Sequence, residues 1–206
     1  MNTDTKPYGI HSRDYLRRAR HLLDQHSVQT LFYAAFELRC GIEARMHQYL
    51  DAQAAVSKKK KRGWKIAKLA KNLNAAFRTG DKIVEFAIML DGHSEATAFY
   101  YTPVRSKLRR MAQRLGDYMH AMQGHPTSKG WWEGMRAYLE QVFEELFQAN
   151  TGTLLGPPLV SSAGKLDFVH ELLPDEDAGD TLAALGKPGT EATIRVRYLD
   201  DVPTDD

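Results

Sequence analysis

The sequence predicts a mainly α fold, a five-helix bundle with an inserted β-hairpin and a small β-rich C-terminal segment. Three observations predict it. Five segments within residues 12–149 repeat apolar residues at three- and four-residue spacing, the period of an amphipathic helix. Residues 82–102 are instead rich in β-branched and aromatic residues around a turn signal. Residues 151–206 are loop-rich with two short strand-like runs.

The first two predicted helices span residues 12–26 and 28–53. Ser12 is the expected N-cap of the first helix, whose apolar face comprises Tyr15, Ala19, Leu22 and Leu23. The apolar positions of the second helix are Leu31, Ala35, Leu38, Ile42, Met46 and Tyr49. Cys40 lies in this second stretch, and we expect it to be a small buried hydrophobic residue.

A basic loop from Ser57 to Gly63 precedes the third predicted helix, Trp64 to Phe77. The apolar side of this helix contains Ile66, Leu69, Ala70, Leu73 and Phe77, and its other face carries Lys65, Lys68 and Lys71. Strands at residues 82–90 and 96–102 then flank Asp91-Gly92-His93-Ser94, which predicts a β-hairpin.

The fourth predicted helix runs from Pro103, as its first residue, to about Met122. Its core-facing arc comprises Leu108, Met111, Leu115, Tyr118, Met119 and Met122. His120 falls about 150° from the centre of that arc, so its side chain is expected to point outward. The fifth helix spans Trp131 to Ala149, and short strands are expected at residues 154–160 and 193–198.

The formal net charge of +2 hides two parts of opposite sign. Residues 1–150, the expected helical bundle, carry 24 Lys and Arg against 15 Asp and Glu, a net of +9. Residues 151–206, an acidic C-terminal segment, carry 4 against 11, a net of −7. A basic body favours a polyanionic partner, and we expect the acidic segment to be solvated, to fold back onto the basic body or to dock a partner protein.

The single cysteine excludes an intramolecular disulfide and favours a reducing compartment. The sequence has no apolar run long enough to span a membrane and no apolar signal core at its N-terminus, so a cytoplasmic location is expected. The common signatures for dinucleotide binding, P-loop hydrolysis, serine hydrolysis and zinc proteolysis do not occur. We therefore expect no cofactor.

Two groups of polar residues have candidate roles, one on the second helix and one in the basic loop with the start of the third helix. Arg39, Glu43 and His47 recur at four-residue spacing, and a half-buried Arg39 needs Glu43 as its partner, which predicts a structural polar pair. The sequence lacks the second set of ligands that a metal-binding bundle requires, so we expect no metal. The basic tract supplies candidate phosphate contacts, with a solubilising loop as the alternative. Its residues are Lys58, Lys59, Lys60, Lys61 and Arg62, continued by Lys65 and Lys68.

The segment Arg114-Leu115-Gly116-Asp117-Tyr118-Met119-His120 resembles the motif of HEPN domains, in which four to six residues separate an arginine from a histidine. The long segment from Tyr33 to Glu43 is similar to the second helix of HEPN-like bacterial proteins. The resemblance covers roughly residues 10–150. It implies a HEPN-like bundle and a homodimer from a bacterial defence or toxin–antitoxin system, acting on RNA.

For function, the resemblance implies metal-independent RNA cleavage at a site formed by two subunits. His120 would act on the proton of the attacking 2′-hydroxyl or of the leaving group, and Arg114 would stabilise charge on the phosphorane, with Asp117 beside them. Leu115 departs from the polar residue that many active members have directly after the arginine. Two alternatives therefore stay open: a nucleic-acid-binding module without catalysis, and a helical interaction subunit of a larger complex.

Overall fold

The computed structural model describes residues 8–25, 27–54, 56–92, 95–119, 128–160, 166–171, 178–187 and 189–203. This part of the chain is mainly helical with a small three-stranded antiparallel sheet, which confirms the predicted class at that level. The helices are α1 (Ser12–Asp24), α2 (Val28–Ala52), α3 (Lys58–Lys61), α4 (Ile66–Phe77), α5 (Ser106–Met119), α6 (Lys129–Ala149) and α7 (Ala178–Leu185). The strands are β1 (Ile83–Leu90), β2 (Thr97–Tyr101), β3 (Leu159–Val160), β4 (Leu166–Asp167) and β5 (Ala192–Leu199).

Helix α2 is the centre of the fold and contacts α1, α4, α5 and α6. All six of its predicted apolar positions are buried, so the predicted face is confirmed. Gly41 lets the neighbouring helices close on α2, because a Cβ there would lie 2.9 Å from Leu146 Cδ2 on α6 and 3.1 Å from Tyr15 Cβ on α1. The buried face of α2 therefore packs closely against both α1 and α6.

The predicted cap of α1 is wrong. His11 is the N-cap residue, and its backbone N–H donates to Asp14 Oδ2 at 3.2 Å. Ser12 is instead fully buried inside the helix, where its hydroxyl donates to the carbonyl of Gly41 at 2.8 Å. A serine at a close helix crossing can satisfy its hydroxyl across the interface, which local sequence rules do not detect.

The sheet has the order β2-β1-β5, and both pairings are antiparallel. The β1–β2 pair is the predicted hairpin. Strand β5 lies where the sequence predicts a strand, but its pairing with β1, in which Ile83 lies opposite Leu199, joins residues more than a hundred positions apart. The acidic C-terminal segment is therefore attached to the rest of the chain through a shared sheet, and Phe168 also packs on Phe86 at 4.8 Å between ring centroids.

The boundaries of the fourth predicted helix differ from the prediction. Helix α5 begins at Ser106 rather than at Pro103, because Asp81 Oδ1 accepts hydrogen bonds from the Ser106 N–H at 2.8 Å and from its hydroxyl at 3.0 Å. Met119 is 41% exposed and does not belong to the core arc. His120 and Met122 lie outside the described residues.

Other predictions were also corrected. Helix α4 begins at Ile66 rather than Trp64, and residues 58–61 of the expected basic loop form the short helix α3. Cys40 is half-buried rather than buried. Sequence reasoning missed α7 and β4. Of the helices in the described ranges, none combines the length and apolar character that crossing a membrane requires.

Candidate nucleic-acid interface

The basic tract forms one continuous stretch of surface around α3 and the start of α4, which we call the basic surface. All of its side chains are exposed except that of Lys61, which is half-buried. The basic surface comprises Lys58, Lys59, Lys60, Lys61, Arg62, Lys65, Lys68 and Lys71. The structure thus places all seven predicted phosphate-binding residues on the exterior, with Lys71 beside them.

These cations have no carboxylate partners within the described ranges of the chain. The sequence explains why: residues 52–80 contain nine Lys and Arg and no Asp or Glu. The net charge of that segment, +9, equals the whole excess of residues 1–150. The rest of the helical region is therefore neutral overall, and its positive charge is concentrated at one place.

Hydrogen bonds from side chains to backbone carbonyls hold the basic surface against α2 and α4. His47 Nε2 donates to the carbonyl of Gly63 at 2.8 Å, Asn72 Nδ2 donates to the carbonyl of Lys60 at 2.7 Å, and Lys61 Nζ donates to the carbonyl of Asp51 at 3.0 Å. Gly63 has φ +115°, a conformation that favours glycine. The backbone that carries these lysines is therefore held in place by hydrogen bonds to α2 and α4.

Trp64 lies within the basic surface and is 66% exposed. Lys65 Nζ lies 6.0 Å from the centroid of its ring. Sequence reasoning placed Trp64 at the start of a helix and gave it no role. The available signal was its position, because Arg62, Gly63 and Lys65 surround it with basic and turn-forming residues rather than with an apolar repeat.

Two residues of the predicted cleavage site, Arg114 and Asp117, lie in the C-terminal part of α5. Arg114 and Asp117 are exposed, and the Arg114 guanidinium lies 4.7 Å from the centroid of the Tyr138 ring on α6. Burial raises the pKa of Tyr138, and the positive charge of Arg114 opposes that rise. His120 lies outside the described residues. The structure therefore shows that Arg114 is accessible and that its guanidinium packs against the ring of Tyr138.

Arg39 and Glu43 form the ion pair that their spacing predicts, with 2.7 Å between Nε and Oε1. Arg39 Nη1 also donates to the carbonyl of Ala112 at 2.6 Å, next to Gly116, where a Cβ would lie 3.5 Å from the same nitrogen. This guanidinium links α2 to α5. His47 is not part of the pair, since it binds Gly63.

An open groove of about 670 Å³ runs along the exposed side of α2 and includes Cys40 and Glu43. Burial raises the pKa of the Cys40 thiol to about 11, and the charges of Glu43 and Glu37 add to the rise. The thiol is thus protonated at neutral pH and is a poor nucleophile. Among the described residues, no cluster of three or more His, Cys, Asp or Glu side chains is arranged to bind a metal ion.

Comparison with known proteins identifies no relative of this chain. No protein-family model matches the chain, and neither the curated proteins nor the solved structures include a significant match. Any functional assignment therefore depends on the residues and geometry described above.

Proposed function

We propose that this protein binds RNA through the basic surface. The observation that carries the proposal is the concentration of positive charge between Lys58 and Lys71, without carboxylate partners among the described residues, in a chain where many other cations form ion pairs. Lysines without carboxylate partners are free to contact phosphates and to release the counterions condensed on a nucleic acid. RNA, rather than another polyanion, is the ligand that the HEPN resemblance implies.

Binding to RNA at increasing salt concentration tests the proposal. We expect the affinity for RNA to fall steeply with salt, with a logarithmic slope of about −0.7 for each phosphate contact on a single strand. The triple variant Lys58→Gln, Lys59→Gln, Lys60→Gln should bind RNA more weakly, and its slope should be shallower by about 2.

A matched variant controls for net charge. Lys82→Gln, Lys107→Gln, Lys129→Gln removes the same three charges from lysines that pair with Asp200, Glu145 and Glu133. We expect this variant to retain RNA affinity close to that of the wild type. Equal losses in the two triple variants would show that only net charge matters, and absence of binding at low salt would overturn the proposal.

Cleavage of the bound RNA by a HEPN-like homodimer is a second candidate function, favoured by the exposure of Arg114 and Asp117 on α5. In this reaction the 2′-oxygen attacks the adjacent phosphorus and the bond to the 5′-oxygen breaks, which leaves a 2′,3′-cyclic phosphate and a 5′-hydroxyl. The proton of the 2′-hydroxyl is removed and a proton is delivered to the 5′-oxygen. His120 is the residue proposed to act in these transfers, and Arg114 is proposed to stabilise the phosphorane.

Incubation of a mixed RNA with the full chain in EDTA tests cleavage. The wild type should produce fragments that end in a cyclic phosphate, and both His120→Ala and Arg114→Ala should abolish them at unchanged helicity and oligomeric state. Intact RNA after incubation with a wild type that binds it would reject cleavage and leave the binding proposal in place.

A further inference from the structure

Trp64 differs from the other tryptophans in its surroundings. Trp131 and Trp132 are half-buried and pack edge to face, 4.6 Å apart, with Phe32 and Tyr118 against them. Trp64 is 66% exposed and has no aromatic neighbour among the described residues. Single exposed apolar residues are common, so the feature that distinguishes Trp64 is its position among the unpartnered cations of the basic surface, where a flat aromatic face is open to a ligand.

The backbone is anchored on both sides of Trp64. On one side, the carbonyl of Gly63 accepts the hydrogen bond from His47. On the other side, Ile66 begins α4 and is 2% exposed in the core. Only Lys65 separates Trp64 from this buried anchor. The ring is thus presented on a short, anchored segment, which lowers the entropy lost when a ligand stacks on it.

The charges around Trp64 suit a ligand that combines a flat apolar face with phosphates. Arg62 and Lys65 are its neighbours in sequence, and Lys68 reaches back so that its Nζ lies 4.0 Å from the position of a Cβ at Gly63. An unpaired nucleobase has such a face, and the backbone on both sides of it carries the phosphates. In a duplex both faces of each base are already stacked inside the helix.

We propose that Trp64 is a stacking platform for an unpaired base, so that the basic surface selects single-stranded over double-stranded RNA; the inference rests on the proposed RNA binding. Stacking on an aromatic side chain tolerates any base, because every base has a π-face. The lysines then supply affinity for the backbone, and Trp64 supplies the distinction between paired and unpaired strands.

Three ligands with equal numbers of phosphates test the inference on the full chain: an oligouridylate, an abasic phosphodiester oligomer and an RNA duplex. The wild type should bind the oligouridylate most tightly. Trp64→Ala should weaken that binding by roughly 5- to 150-fold, the range equivalent to the loss of one stacked base. It should leave binding to the abasic oligomer unchanged. Trp64→Phe, which keeps an aromatic face, should retain most of the affinity for oligouridylate.

The outcomes distinguish a failure of base stacking on Trp64 from a failure of RNA binding. If no ligand binds at low salt, RNA binding itself fails. If the wild type binds all three ligands equally, or if Trp64→Ala weakens the oligouridylate and the abasic oligomer to the same degree, RNA binding stands and the stacking role is overturned. A shift in oligomeric state on Trp64→Ala, with unchanged RNA affinity, would assign the ring to contact between protein chains and also overturn it.

Discussion

The arginines inside the fold and the lysines of the basic surface carry the same charge but have opposite surroundings. Arg45 is fully buried, and its guanidinium donates to the carbonyls of Ala149 and Gly152 at 2.9 and 2.6 Å and pairs with Glu171 at 3.1 Å. The lysines of α3 have no carboxylate partner within the described residues. A planar guanidinium suits several fixed acceptors, whereas an ammonium on a flexible chain keeps its water and its mobility.

We infer from this difference that the arginines inside the fold and the lysines of the basic surface have different roles. Arginines fasten helices and strands to one another, as Arg18 does with Glu37 at 2.9 Å and Arg20 with Glu140 at 2.8 Å. Lys61 donates to the carbonyl of Asp51 on α2, and the exposed side chains of the other lysines are accessible to a ligand. Substitutions of the arginines inside the fold should therefore change the free energy of unfolding, and substitutions of the lysines of the basic surface should change RNA binding.

The largest effect is expected at Arg45. Arg45→Ala should lower the free energy of unfolding by about 3–5 kcal/mol, because it removes a fully buried guanidinium with its hydrogen bonds to two buried carbonyls and leaves Glu171 with Arg13 as its remaining arginine partner. Denaturant unfolding followed by circular dichroism measures this loss. Arg45→Lys keeps the charge but not the forked geometry, and we expect it to fold with a smaller loss.

Arg17 offers a matched control for Arg45. Its side chain is 76% exposed, and its ion-pair partner in the described part of the chain is Asp14, three residues away on the same helix. Arg17→Ala should change the free energy of unfolding by less than about 1 kcal/mol, as for other exposed pairs. Similar losses at Arg17 and Arg45 would remove the distinction between structural and surface cations.

A smaller effect is expected at Glu85, which joins two strands of the sheet. Glu85 is 1% exposed, and Arg197 Nε on β5 donates to its Oε1 at 2.8 Å. This hydrogen bond is the main cause that holds the pKa of Glu85 below its ordinary value of 4.5. Glu85→Gln should lower the free energy of unfolding at neutral pH by about 1.5–3 kcal/mol, the range for hydrogen bonds to a charged group.

The pH dependence gives this prediction a direction. Because the pKa is lower in the folded state, the stabilisation by Glu85 is complete above 4.5 and is lost as the pH falls through the folded pKa. The difference between wild type and Glu85→Gln should therefore shrink in acid. A difference that stays constant from neutral pH to pH values below the folded pKa would show that Glu85 acts by packing rather than by its charge.

The sequence predicted those features of the fold that depend on local periodicity. Helix α2 was predicted within a residue at its C-terminus, because its buried positions repeat at helical spacing over seven turns. The pairing of β5 with β1 and the burial of Ser12 were missed, because each depends on a residue far along the chain. A local sequence pattern contains no information about which distant residue will pack against a given strand or helix.

The same limit applied to the candidate site. Charge runs are visible in any sequence, so the seven basic residues could be recognised as a group from the sequence, and their binding to phosphates stays a prediction. Trp64 was missed because the sequence placed it as the first residue of the third helix, and only the fold shows that α4 begins after it. The role of Arg39 followed from its spacing to Glu43, but its bond to Ala112 did not.

The smallest effect is expected for the stability of the triple variant Lys58→Gln, Lys59→Gln, Lys60→Gln. Neighbouring lysines on a helical turn repel one another by about 0.2–0.5 kcal/mol for each close pair. Neutralising three of them should leave the free energy of unfolding unchanged or raise it by a few tenths of a kcal/mol at low salt. The gain should vanish at high salt, where the repulsion is already screened. A loss above about 1 kcal/mol would instead mean that these lysines hold α3 in place. Weaker RNA binding by the variant would then report a damaged fold rather than lost phosphate contacts.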